Sequence, residues 1–134
     1  MRRCANLLSA LGQTVAYGST YTVHTQAEPA APDAHGVQGV VGMTYDTPGY
    51  SGPAAGIVLA APVGEGCEGQ VVRVAPYQRA CPDVVALLPA GSVQAGMLSG
   101  VPLYTLGGNQ GQALLVASGG ACVVVTVAQG KDVR

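Results

Sequence analysis

Apolar and polar positions alternate with a period of two along much of this chain, the spacing expected of half-buried strands. In TVAYGSTYTVHT (14–25), Val15, Tyr17, Tyr21 and Val23 fall on one side, and Thr14, Thr20, Thr22 and His24 on the other. Gly18 would mark a bulge or bend in that strand. VQGVVGMTY (37–45) predicts a short strand interrupted by glycine. GIVLAA (56–61) and QVVRVA (70–75) flank PVGEGCEG as a hairpin, and QALLVA (112–117) and CVVVTVA (122–128) flank SGGA as another. The Gly-Gly pair in the second turn suits a tight connection, because glycine takes positive φ without a steric penalty. VPLYTL (101–106) adds a strand, while PDVVALLP (82–89) fits either one turn of helix or a short strand. A helical period appears in RRCANLLSAL (2–11), where Cys4, Leu7, Leu8 and Leu11 share a face and Gly12 stands where a cap would sit.

About seven or eight short strands, with turns every ~8–12 residues, predict an all-β fold, a small sandwich or barrel. It would carry a short N-terminal helix or extended arm. QAEPAAPDAHG (26–36) holds two prolines that cannot donate to a ladder, and it reads as an exposed loop. The expected division is therefore an arm with a short helix and first strand over 1–36, and a β-rich domain over 37–134. VVRVA at 71–75 is echoed by VVTVA at 124–128, 53 positions later. Two Val-rich segments meeting by coincidence is the simpler reading of that echo than internal duplication.

Composition narrows the partners. The 134 residues make one domain, 49% apolar yet without Phe or Trp, so its core must come from Val, Leu, Ala and six Tyr. Burial stabilises in proportion to apolar area, so such a core needs disulfides or a partner subunit as support. Charged residues are 10% of the chain and the net charge is −1. Phosphate binding needs clustered Lys and Arg, so no nucleic-acid partner is expected. No run of about 18 apolar residues occurs and no basic cluster exists, so no membrane partner is expected either. Arg2 and Arg3 before a mildly apolar stretch have the outline of a secretory leader, but Asn6, Ser9, Gly12 and Gln13 interrupt it. A surface so poor in charge is expected to be covered in the working state, by a symmetric homo-oligomer.

Candidate chemistry is sparse. Cys4, Cys67, Cys81 and Cys122 allow three pairings and contain no C-x-x-C. Buried free thiols are one reading; a disulfide, most easily Cys67 with Cys81, is the other. His24, Glu28, Asp33 and His35 fall within one short segment, but their spacing matches no metal motif and they read as solvated loop polarity. GEGCEG lacks the Lys-Ser/Thr of a phosphate loop, and no G-x-S-x-G occurs. Neither catalytic residues nor a metal nor a cofactor is expected, and the chain is not read as an enzyme. Tyr17, Tyr21, Tyr45 and Tyr50 are the candidate interface residues, since tyrosine offers contact area with a polar tip.

The C-terminal half, GIVLAAPVGEGCEGQVVRVAPY with VQAGMLSGVPLYTLGGNQGQALLVASGGACVVVTVAQ, resembles the Gly/Ala/Val-rich head-decoration proteins of tailed bacteriophages. The resemblance covers about 75 residues and carries no diagnostic motif; the cysteines belong to no shared pattern. It implies a structural virion protein, a trimer that cements a capsid lattice by binding the major capsid protein. The alternative is a secreted, disulfide-containing β binding module, lectin-like or like a toxin B subunit.

Overall fold

The computed structural model describes residues 4–132. Helix α1 (Ala5–Ala16) leads into strand β1 (Ser19–Ala27), and a loop with a single 3-10 turn at Pro32–Ala34 leads to β2 (Val37–Asp46). Strands β3 (Ser51–Val63) and β4 (Gly66–Tyr77) complete a four-strand meander. Helix α2 (Cys81–Val85) then opens a second meander of β5 (Val93–Leu98), β6 (Val101–Thr105), β7 (Gln112–Ser118) and β8 (Ala121–Asp132). All eight strands form one antiparallel sheet in the order β1-β2-β3-β4-β8-β7-β6-β5. The all-β class is as the alternation predicts. The strands lie in one continuous layer whose edges are β1 and β5.

The two halves follow one plan. Each runs helix, then four strands, and in each a cysteine at the start of the helix bonds to the second residue of the fourth strand. The bonds are Cys4–Cys67 and Cys81–Cys122. In the central ladder Cys67 pairs with Asp132, Val72 with Val127 and Tyr77 with Cys122. Cys67 and Cys122 are thus equivalent, and a pseudo-twofold axis passes through the Val72–Val127 pair. The structural offset is 55 positions, two more than the sequence echo, and an even shift keeps every side chain on its face. The echoed segments are not equivalent under this axis, since residues 71–75 correspond to 126–130; the repeat lies in the architecture, and the Val-rich echo stays a coincidence of composition.

The same pairing puts both helices on one face of the sheet. Leu7, Leu8, Leu11 and Val15 form the apolar stripe of α1, and they pack on Val37, Val41, Met43, Val58 and Ala60. Val84 of α2 packs with Leu106, Ala113, Leu115, Cys122 and Val124. Under α1 the sheet is shaved: Gly69 and Gly130 are cross-strand partners. A Cβ on Gly69 would lie 2.6 Å from the Leu59 carbonyl oxygen and 2.7 Å from Leu11 Cδ1. The missing side chains let the leucines sit on the backbone.

Several expectations change. The helix spans Ala5–Ala16 and runs through Gly12, because Val15 and Ala16 become buried against the sheet. That packing outweighs the ~1 kcal/mol helix penalty of a glycine. Val15 and Tyr17 therefore lie before the strand, which begins after Gly18 at φ +81°. Of the segment expected as an arm with a short helix and first strand over 1–36, Ala5–Ala16 form the helix packed on the sheet and Ser19–Ala27 an edge strand of it. All of β1 pairs with β2, and Cys4 is bonded to β4. The Cys67–Cys81 bridge expected from nearness in sequence does not form. Cys67 and Cys81 each face their own half's helix–strand contact, and each is bonded there.

Peptide mapping under non-reducing conditions is expected to recover Cys4–Cys67 and Cys81–Cys122. Loss of either bond should cost about 4 kcal/mol in the chain-entropy view, measured by denaturant unfolding of paired Cys→Ala variants. Gly69→Val should lower stability by roughly 1–3 kcal/mol, through a clash that the flexible leucine tips cannot fully relieve because a backbone oxygen is also in the way.

Candidate functional site

Two surfaces have the makings of a site: the seam between the helices, and the sheet face that the helices leave bare.

At the seam, Arg73 of β4 stands on the helix side among three tyrosines. Its guanidinium carbon lies 4.7 Å from the centre of the Tyr45 ring and 5.4 Å from that of Tyr50. Arg73 Nε donates to the Tyr45 hydroxyl at 3.2 Å, and that hydroxyl donates to the Val15 carbonyl. The Tyr50 hydroxyl reaches the carbonyls of Pro53 (2.7 Å) and Pro76 (2.8 Å). The Tyr50 ring meets Tyr45 edge-on at 5.7 Å and Tyr77 at 4.7 Å. Tyr50 packs with the α1 core and Tyr77 with the α2 core, so this cluster joins the two halves. Burial pushes the Tyr50 phenol above its usual range; the Arg73 charge opposes this, while Tyr77 and Tyr45 add to it.

The interface expectation for the tyrosines divides accordingly. Tyr45 is buried and Tyr50 half-buried, both held by hydrogen bonds inside the fold, so neither is offered to a partner. Tyr17 and Tyr21 are exposed. Tyr21 lines an open groove of about 450 Å3 between α1 and β1, with Leu8, Val23 and Val41.

The bare face is the larger feature. Its middle row crosses the sheet as Val40, Ile57, Val72, Val127 and then Gln112. The next row is Ala55, Val74, Val125, Leu114 and Leu103. Beyond it stand Val123 and Val116. These two rows and the Val123–Val116 pair carry no charged side chain. Ile57 and Val116 are each 40% exposed and Val40 is 39% exposed, high values for aliphatic residues mid-sheet. On the other side of the middle row lie Gln26, Gln38, Leu59, Gln70 and Gln129, a polar margin. Past that margin Lys131 and Glu68 pair with each other at 3.9 Å, beside a concavity of about 790 Å3 that Glu28 and His35 also border.

His24 lies on β1 in the middle row, next to Val40, and His35 lies in the loop before β2. Among the described residues, no three His, Cys, Asp or Glu side chains gather as metal ligands would. No described helix is long and apolar enough to cross a membrane. The bare face was missed in the sequence reading, although its signal was there. VVRVA and CVVVTVA hardly alternate, and a strand with one solvated face should. Comparison with protein-family models, curated proteins and solved structures finds no match to this chain.

The seam has a pH signature. An unfolded tyrosine ionises near pH 10 and Tyr50 in the fold ionises later. Its neutral form therefore contributes stability below about pH 10, and that contribution is lost as pH rises through the folded value. Tyr50→Phe should be less stable at neutral pH by about 1 kcal/mol, with a shallower alkaline decline than the parent, read by denaturant unfolding across that range.

Proposed function

We propose that the chain is a non-catalytic interaction module of an oxidising compartment, and that it binds protein through the helix-free face of its sheet. The observation that carries this reading is the two-sided apolar pattern of the central strands. In β8, Cys122 and Val124 are buried under α2 while Val123, Val125 and Val127 point the other way. Near-continuous apolar runs belong to strands covered on both faces. The same sheet supplies the contrast: β1 turns Thr20, Thr22, His24 and Gln26 to that side, as a solvated strand does. A contiguous exposed aliphatic patch rimmed by polar groups is the usual mark of a protein-binding surface.

Both cysteine pairs are bonded, with three of the four cysteines at 2% exposure or less. Such bonds persist in oxidising settings, outside the cell and on virion surfaces alike, so they support the compartment without choosing between the secreted module and the virion component. The phage resemblance supplies no residue role at this face.

A photocrosslinking amino acid at Val116 or Ile57 is expected to form protein adducts on irradiation in the native source material, well above those from the same group at Asn6 on the outer side of α1. Equal adduct yields from the face and from Asn6 would reject the reading.

A further inference from the structure

We propose that the occupant of the bare face is a second copy of this chain, so that two sheets stack into a sandwich. This deepens the interaction-module reading and rests on it. Sheets pack about 10 Å apart with their strands roughly 30° from parallel, and they bury the side chains of the two inner faces against each other. A twofold dimer needs one patch that complements itself. The patch here meets that need in three respects.

Its aliphatic rows are uncharged. Glu68 and Lys131 satisfy each other at one margin, and Asp46 stands exposed one row beyond Val123 and Val116 at the other. A partner chosen by charge would find nothing to pair with in the rows themselves, whereas an identical aliphatic face would lose no ionic contact on docking. Its shape is even: Val, Ile, Leu and Ala alternate across the strands without an aromatic ring standing out of the rows. Its size is sufficient. Eight strands ~4.8 Å apart give a width of about 38 Å, and the rows from Gln38 to Thr44 extend about 20 Å. The whole face projects to about 750 Å2, close to the ~800 Å2 per partner of a standard stable interface; the aliphatic rows, about 29 Å across six strands and about 13 Å along them, supply roughly half of it, with the glutamine row and β1 as its polar surround.

Edge pairing through β5 is the rival geometry, since Val93, Met97 and Leu98 are exposed there. Ile57→Asp and Val116→Asp sit on the face at exposed positions, where a carboxylate is solvated in the monomer and buried in the stacked dimer. Sedimentation equilibrium of the oxidised, full-length chain is expected to show a dimer. Each substitution should weaken it by roughly a hundredfold, because two unpaired carboxylates would be buried per dimer. Circular dichroism should stay unchanged, and Asn6→Glu should leave the dimer intact. As a second readout, the photoadduct from Val116 should be a homodimer by mass.

A dimer that survives both face substitutions, or one lost only on Met97→Pro in β5, would overturn stacking. A monomeric chain whose face crosslinks to a different protein would overturn the second copy and leave the interaction module standing. A monomer without face-specific adducts would overturn both.

Discussion

The antiparallel ladder between β4 and β8 holds the rest of the structure in place. Its eleven residue pairs join the last strand of one meander to the last strand of the other. Among the described residues, no other strand pairing links the halves. Because the ladder centres on Val72 and Val127, it makes the halves twofold-related, and this fixes where everything else can lie. Both disulfides project to the same side, since Cys67 and Cys122 have matching parity across the ladder. Both helices are tethered to those cysteines, so they too share that side. The core is built there, and the opposite face is left bare.

Asymmetry enters through the helices. The first is long enough to need a floor without side chains, which Gly69 and Gly130 provide. The second is five residues long and covers little beyond Val84's surroundings. Between them the sheet would be open to water at its centre. Arg73 and the three tyrosines fill that gap, with rings large enough to span from one core to the other. In a chain without Phe or Trp, tyrosine is the largest apolar surface to hand, and its hydroxyl must find a partner when buried. Carbonyls of Val15, Pro53 and Pro76 supply those partners. Hence Tyr45 and Tyr50 became structural, where a sequence reading could equally place them at an interface.

What the sequence revealed follows the range of the interactions involved. Both Gly-containing hairpins were legible because their turns and flanking alternation are local. The β1 strand was displaced at its start because Val15 is claimed by tertiary burial, which no local period reports. The disulfide partners were not legible: four cysteines offer three pairings, and nearness along the chain favoured Cys67 with Cys81. The bonds formed instead span 63 and 41 residues, as the sheet order requires. The repeat was not legible, since the Val-rich echo runs two positions out of register with it and the axis depends on a ladder between strands far apart in sequence.

The bare face was legible in principle, and the reason is physical. Selection for solubility acts on every exposed strand, and β1 shows the result in its outward threonines, histidine and glutamine. The outward side of β8 holds three valines in succession, and their cross-strand neighbours are Val72, Val74 and Pro76 on β4 and Gln112, Leu114 and Val116 on β7. β-Branched residues suit a strand on either face, so propensity alone can account for one of them. It does not account for their confinement to the centre of the sheet while the glutamine row and the Glu68–Lys131 pair stand at one margin. That arrangement, an aliphatic centre with a polar margin, is the pattern from which the proposed interaction face is argued. The low charge of the whole chain is consistent with it: a small domain that exposes few ions remains dispersed most easily when its largest apolar face is turned inward against another.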